Sequence, residues 1–221
     1  MWLIFGSSLD DEPWRLAERW ARCDASVEVV TPADLSGPGW RLRSGRPVDL
    51  QAGLRSRVVH GEEIRAVVNL LPWVSVHDLP HIDPDDREYV ANEMAAFLLA
   101  WLSELDCPMM DRPTPLSLSG CGRWPAQWAA LAKQAGVRAD AQWPGPRVEV
   151  TVLEGRAVAG PQNGIGLASA AEAIARAGQR SLVTLYFAAD QREPVLIGAA
   201  ARPSAGSPAV AEKLLEWLDS Q

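Results

Sequence analysis

The chain has 221 residues, enough for one large domain or two small ones, and its 48% hydrophobic and 22% charged residues argue against wholesale disorder. Its net charge of -7 and pI of about 5.0 provide no basic field for a nucleic-acid backbone, so we expect no nucleic-acid partner. The longest apolar run is too short to cross a membrane, no basic leader precedes the first apolar run, and the three cysteines form no Cys-x-x-Cys pair. These features predict a cytoplasmic protein without a membrane partner.

The N-terminal residues predict a strand, a helix and a second strand. Residues 2–5 and 27–30 are short apolar runs, and residues 13–23 between them carry apolar side chains at helical spacing. This order predicts a βαβ unit with a parallel strand pair and a right-handed crossover. Residues 34–57 predict edge strands or a hairpin, and residues 66–70 predict a further strand.

A long helix is predicted from Asp83 to residue 105. Asp83 is a suitable N-cap, and Pro84 suits the first helical position. An apolar stripe recurs at steps of three and four residues, at Val90, Met94, Phe97, Trp101 and Leu105. Residues 107–110 then predict a short strand, which ends at Asp111 and Arg112. In open α/β sheets, ligands usually bind at such strand ends.

The predicted organisation has two domains, residues 1–137 and 147–221. Residues 125–134 predict a helix that ends at Gly136, and the Pro- and Gly-rich segment 137–147 predicts a connector. A hairpin is predicted from residue 147, strands at residues 181–188 and 194–199, and a last helix after Ser207. Ser169 and Glu172 have the spacing of a capping box that opens a short helix. We therefore predict an α/β protein, with a Rossmann-like parallel sheet in the N-terminal domain and a smaller α+β C-terminal domain.

Polar residues at predicted strand ends are the candidate binding residues. Ser7 follows the first strand, Asp111 and Arg112 follow the strand after the long helix, and Arg147 and Arg202 lie at ends of strands in the second domain. If the three guanidinium groups converged, they would form an anion pocket, because the arginine side chain matches carboxylate and phosphate. The competing interpretation is an arginine–carboxylate pair that stabilises the turn at Arg112.

We predict no metal and no cofactor. His77 and His81 are four residues apart, but Pro80 lies between them and the metalloprotease pattern is absent. Cys121 has a glycine on each side, but the sequence shows no partner that would activate its thiol. The ten tryptophans are either core residues or, for Trp124 and its near neighbours Trp128 and Trp143, part of an exposed binding surface.

Several stretches resemble the ATP-grasp family, in particular its small-molecule and peptide-modifying members. Residues 87–114 and 124–137 are similar to the N-terminal domain of that family, and residues 147–160 and 182–204 are similar to its C-terminal subdomain. The resemblance implies an ATP-binding lid between these parts and a magnesium site on the last strand. However, only residues 138–146 occupy the place of the lid, the lysines are limited to Lys133 and Lys213, and residues 197–202 carry no side-chain oxygen.

These departures predict a degenerate, lid-deleted ATP-grasp-like protein. We expect it to act as a non-catalytic binding or accessory protein, beside a ligase or a peptide-modifying enzyme, with a protein partner. A second hypothesis is an enzyme or small-molecule binder with an anionic ligand at the strand ends near Ser7, Asp111 and Arg112. A third is a homodimer, in which each subunit covers the surface that the lid would face.

Overall fold

The computed structural model describes residues 1–23, 26–43, 45, 49–55, 57–120, 122–161, 166–189, 191–200 and 207–220. The chain forms two compact units, Met1–Cys121 and Gly122–Ser220. The first unit contains β1 (Trp2–Phe5), α1 (Glu12–Ala21), β2 (Val27–Val30), β3 (Arg41–Arg43), β4 (Asp49–Gly53), β5 (Val58–His60), β6 (Ala66–Asn69), α2 (Arg87–Glu104) and β7 (Met109–Met110). The second contains α3 (Pro125–Gln134), β8 (Arg138–Ala139), β9 (Arg147–Leu153), β10 (Arg156–Ala159), α4 (Leu167–Ala177), β11 (Leu182–Ala188), β12 (Val195–Ala200) and α5 (Pro208–Asp219).

A four-stranded parallel sheet forms the centre of the first unit, in the order β2-β1-β6-β7. Alternation along β1 gives the sheet two apolar faces. Leu3 and Phe5 belong to the core that includes residues of α2, while Trp2 meets Trp20 of α1 edge to face at 5.6 Å. The predicted α/β class and parallel sheet are therefore confirmed.

Helix α2 is shorter than predicted and buries a different stripe. It begins at Arg87, because residues 83–86 form a separate turn in which the Asp83 carboxylate accepts the Asp85 amide at 3.0 Å. Trp101 and Leu105 are buried as predicted, but Val90, Met94 and Phe97 are only half-buried. The buried positions that complete the stripe are Ala91, Leu98 and Leu102.

The segment between β2 and β6 contains a three-stranded antiparallel sheet, β3-β4-β5, where the sequence predicted edge strands or a hairpin. This small sheet is joined to the main core through aromatic packing. Trp40, just before β3, contacts Trp101 of α2 with 5.3 Å between ring centroids, and the Trp101 indole donates to the Gln51 carbonyl of β4 at 3.2 Å. The long helix therefore packs on both sheets of the first unit.

A five-stranded sheet forms the second unit, in the order β10-β9-β11-β12-β8. Its pairs are antiparallel except β12 with β8, which run parallel. The buried face of this sheet packs on α3 and α4 through residues such as Trp128, Val152 and Leu185. The sequence predicted residues 125–137 as the end of the N-terminal domain, but they lie in this second unit. Helix α3 packs on β12, and β8, which follows α3, pairs with β12.

In the second unit, the end of α3 is as predicted, but the start of α4 is not. Gly136 has a φ of +74°, and its amide and that of Val137 donate to the carbonyls of Lys133 and Ala132, which is a Schellman motif at the end of α3. The predicted capping box at Ser169 is wrong, because α4 begins two residues earlier and its N-cap is Gly166, with a φ of +73°. No helix in the described part of the chain is long and apolar enough to span a bilayer.

Candidate functional site

The carboxyl end of the parallel sheet is the natural place for a ligand in this fold. The chain leaves β1 toward β2 on one side, and later returns to β6 on the other side of β1. In open α/β sheets, the crevice at such a reversal of strand order binds ligands. Ser7 and Ser8 follow β1, and Asn69 is the last residue of β6. We therefore take the strand ends of β1 and β6 as the candidate site.

The side chain of Asp78 contacts the turn that follows β1, although Asp78 itself comes after β6 in the chain. Its side chain is 1% exposed, and its Oδ1 accepts the Ser7 hydroxyl at 2.5 Å, the Ser8 amide at 3.0 Å and the Ser8 hydroxyl at 3.2 Å. The other carboxylate oxygen accepts the Ser75 amide at 3.4 Å. A phosphate in a nucleotide-binding fold accepts hydrogen bonds from groups in this position. Here an internal carboxylate already accepts them.

The polar groups at the ends of β6 and β7 are also bonded within the unit. The Asn69 side-chain amide donates to the Leu118 carbonyl at 2.8 Å, and its oxygen accepts the Leu71 amide at 3.0 Å. Arg112 donates to the Leu105 carbonyl at 3.0 Å and to the Cys107 carbonyl at 3.2 Å. The Arg112 guanidinium therefore ties the C-terminal end of α2 to the end of β7, through main-chain carbonyls rather than the carboxylate that the competing interpretation predicted.

Asp34 stabilises the loop after β2. Its Oδ2 accepts the Thr31 amide and hydroxyl at 2.8 and 2.7 Å, and its Oδ1 accepts Nε of Arg55 at 2.9 Å. Burial works to raise the pKa of Asp34, but the hydrogen bonds from Thr31 and the contact with Arg55 outweigh it and hold the pKa below its usual value. The charged carboxylate of Asp34 therefore stabilises the folded conformation of this loop.

The predicted anion pocket stays a prediction. Asp111 has a φ of +52° directly after β7, and Arg112 is bonded as described above. Arg147 belongs to the second unit, where its guanidinium lies 5.0 Å from the centre of the Tyr186 ring. Arg202 lies outside the described residues.

The remaining sequence candidates have structural contacts of their own. His81 Nε2 lies 2.8 Å from the Ser36 hydroxyl, and His77 is exposed. Among the described residues, no group of three or more His, Cys, Asp or Glu side chains is arranged to hold a metal ion. Burial raises the pKa of the Cys107 thiol to about 11, so this thiol is protonated near neutral pH. Cys121 lies outside the described residues.

The three neighbouring tryptophans do not share one exposed surface. Trp124 is 77% exposed, but Trp128 is 4% exposed and packs in the core of the second unit. Trp143 is half-buried and donates through its indole to the Pro146 carbonyl at 3.3 Å. In the first unit, by contrast, exposed apolar side chains follow the strand ends of the parallel sheet: Leu9 (69%), Trp73 (67%) and Leu116 (83%).

Sequence reasoning missed Asp78 and Trp73. The spacing Ser75-x-x-Asp78 is a capping signal that predicts a turn held by this carboxylate, and the structure has that turn at Val76–Asp78. No local signal predicts that the same carboxylate reaches Ser7 and Ser8, because those residues are about 70 positions away along the chain.

Comparison with known proteins establishes the fold. The chain is similar to the macrocyclase MdnC of Microcystis aeruginosa bound with the precursor peptide MdnA, with a TM-score of 0.69 and 10% identity over 100% of this chain and 99% of that one. The fold is ATP-grasp-like. Macrocyclase MdnB of the same organism matches with a TM-score of 0.61 and 12% identity, over 97% of this chain and 93% of that one.

A further ATP-grasp-like match is the ligase PsnB complexed with its minimal precursor, with a TM-score of 0.68 and 10% identity over 99% of this chain and 97% of that one. No protein-family model matches the sequence, and no curated protein sequence matches it. The predicted resemblance to ATP-grasp proteins is thus confirmed for the fold. Because the sequence identities are only 10–12%, the similarity establishes the fold and not the activity.

Proposed function

We propose that the chain is a non-catalytic, ATP-grasp-like protein that binds a peptide or protein partner, beside a ligase or a peptide-modifying enzyme. The main support for this proposal is that polar groups at the ends of β1, β6 and β7 form hydrogen bonds within the unit. Asp78 accepts the donors of Ser7 and Ser8, Asn69 bonds to main-chain groups, and Arg112 donates to two carbonyls. Groups that would bind a substrate or a phosphate instead stabilise the unit itself.

The short connection in the second unit supports the same proposal. Residues 140–146, all of them described, are all that separates β8 from β9, and they form no helix or strand. In the family that the sequence resembles, the ATP-binding lid stands between these parts. Phosphoryl transfer depends on cations around the phosphates. The chain contains two lysines, and one of them, Lys213, is paired with Glu216 at 2.6 Å.

Support for a peptide or protein partner comes from the structural neighbours and from the exposed side chains. MdnC was solved with a precursor peptide, and PsnB was solved with a minimal precursor. In this chain, the exposed side chains of Leu9, Trp73 and Leu116 follow β1, β6 and β7. Exposed aromatic side chains are enriched where proteins bind one another.

Calorimetry with nucleotide tests the non-catalytic part of the proposal. The full chain is titrated with ATP in the presence and absence of Mg²⁺, and the expected result is no saturable heat at micromolar protein concentration. A PsnB-type ATP-grasp ligase measured in parallel is the positive control. Tight, magnesium-dependent uptake of ATP by this chain would overturn the proposal.

The second candidate function, an anionic ligand at the strand ends, has a direct test. Arg147 is exposed at the start of β9, which leaves its guanidinium accessible from solvent. If an anion binds at either Arg112 or Arg147, replacing both arginines by alanine should abolish the rise in Tm that phosphate or a carboxylic acid produces. An unchanged rise would exclude these two residues as the site.

A further inference from the structure

The negative charge of this chain is concentrated in two segments of the first unit. Residues 7–14 and 72–89 contain eight Asp and Glu residues, one arginine and no lysine. The remaining 195 residues contain 20 acidic and 20 basic residues. The whole net charge of -7 therefore lies in these two segments. A charge distribution of this kind creates a local field that a balanced distribution would not.

The fold brings the two segments together. The Ser8 amide, in the first segment, and the Ser75 amide, in the second, both donate to the Asp78 carboxylate, at 3.0 and 3.4 Å. The turn Val76–Asp78 also packs against α2, whose first turn carries the exposed Glu88. The two acidic segments therefore lie side by side, and we take them as one surface of the first unit.

The hydrogen bonds of Arg87 and the ion pair of Arg15 do not involve the carboxylates that precede α2. Arg87, the one arginine in the two segments, donates to the carbonyls of Ile82 and Pro80 at 2.8 and 3.1 Å. Arg15 pairs with Asp11 at 3.4 Å, but both side chains are more than half exposed, and such pairs neutralise little. Across the described residues, no ion pair involves three exposed carboxylates of this surface, Asp83, Asp85 and Asp86.

Large apolar side chains are exposed within the same two segments. Leu9 comes directly after Ser8 and is 69% exposed, and Trp73 comes two residues before Ser75 and is 67% exposed. Tyr89, in the first turn of α2, is 68% exposed. Leu116 is brought toward Trp73 by the bond between the Leu118 amide and the Pro72 carbonyl at 2.9 Å. Large exposed apolar side chains, aromatic ones above all, are typical of a binding surface.

We propose that this surface binds a basic peptide segment in which lysine or arginine residues alternate with apolar ones. We call it the acidic apolar surface; it comprises Leu9, Trp73, Asp83, Asp85, Asp86, Glu88 and Tyr89. Its carboxylates attract the cationic side chains, and its exposed rings accept apolar and guanidinium groups. Nucleic acid and anionic lipid are repelled by the same field. The inference rests on the proposed function only in taking the partner to be a peptide or protein.

Fluorescence anisotropy with three synthetic peptides tests this inference on the full chain. The first is a labelled twelve-residue peptide that alternates Lys with Leu and Phe, the second replaces each Lys by Glu, and the third replaces each apolar residue by Ser. We expect the first peptide to bind at least about tenfold more tightly than either of the others, and its affinity to fall as salt rises.

Two variants locate the binding site. The triple variant Asp83→Asn, Asp85→Asn, Asp86→Asn removes three charges but keeps an oxygen acceptor at each position, so the turn before α2 is preserved. The single variant Trp73→Ala removes the exposed ring. Each should weaken binding of the first peptide about tenfold. The matched control, Glu104→Gln, Glu193→Gln, Glu212→Gln, removes three exposed charges elsewhere and should leave the affinity within about twofold.

Three results would overturn the inference. The first is equal binding of the Lys/Ser peptide, which would reduce the effect to general charge attraction. The second is equal weakening by the control triple variant. The third is a dimer in sedimentation that Trp73→Ala converts to a monomer, because a second copy would then cover the surface. Uptake of ATP in the calorimetric experiment would overturn the non-catalytic proposal and leave the peptide affinities unchanged, so the two failures are distinguishable.

Discussion

Replacing Asp78 tests whether this carboxylate holds the carboxyl end of the parallel sheet together. In Asp78→Ala, the Ser8 amide and the hydroxyls of Ser7 and Ser8 lose their acceptor, as does the Ser75 amide. A hydrogen bond to a charged group contributes about 1.5–3 kcal/mol net. The bond from the Ser75 amide is long at 3.4 Å, and the exposed Ser8 hydroxyl can bond to water instead. The remaining two bonds give an expected loss of about 3–6 kcal/mol in the free energy of unfolding.

Urea denaturation of the full chain, followed by tryptophan fluorescence and far-UV circular dichroism, measures this loss. Asp78→Asn keeps one oxygen acceptor and should lose about half as much. Asp85→Ala is the matched control, because Asp85 lies in the same loop with an exposed side chain, and its loss should stay within about 0.5 kcal/mol. If Asp78→Ala were as stable as the control, Asp78 would not be the residue that joins the two segments.

Three further predictions concern the folded state. Folding lowers the pKa of Asp34, so the contribution of this carboxylate to stability is complete above its unfolded pKa of about 4. That contribution is lost as the pH falls through the lower pKa of the folded state. The difference in Tm between wild type and Asp34→Asn should therefore become smaller in acid. Trp101→Ala should lower the free energy of unfolding by about 3–5 kcal/mol in urea, because this ring is fully buried between two sheets. Gly136→Ala, at a φ of +74°, should cost about 1 kcal/mol in the same assay, and an unchanged midpoint would contradict the Schellman motif.

Elements with a strong local signal were predicted well. The strands Trp2–Phe5 and Val27–Val30 were predicted with the bounds that the structure has, because short apolar runs between turn residues have few alternative conformations. Helix α3 was likewise predicted with its bounds. Its start at Pro125 and its end at Gly136 are both fixed by residues with restricted or unusual backbone conformations.

Features that depend on distant contacts were not predicted. The burial of α2 is decided by two sheets, so the helix buries Ala91, Leu98 and Leu102 where a single stripe would have favoured Val90 and Phe97. Strand β8 has two residues and exists because β12 is available for parallel pairing. The candidate site shows the same limit: the sequence suggested Ser7, but only the folded chain brings Asp78 to it.

The arrangement around Asp78 joins the two parts of the functional argument. A carboxylate in the turn after β1 opposes an anionic ligand there, since a second negative charge would lie beside the first. The same carboxylate connects the segment of Leu9 to that of Trp73, so the feature that disfavours a phosphate also assembles the acidic apolar surface. Asp78→Asn should therefore keep most of the affinity for the basic peptide, because its remaining oxygen still accepts the Ser8 amide. Asp78→Ala should lose that affinity together with stability, and loss of affinity in Asp78→Asn with stability retained would show that the charge of Asp78 acts on the peptide directly.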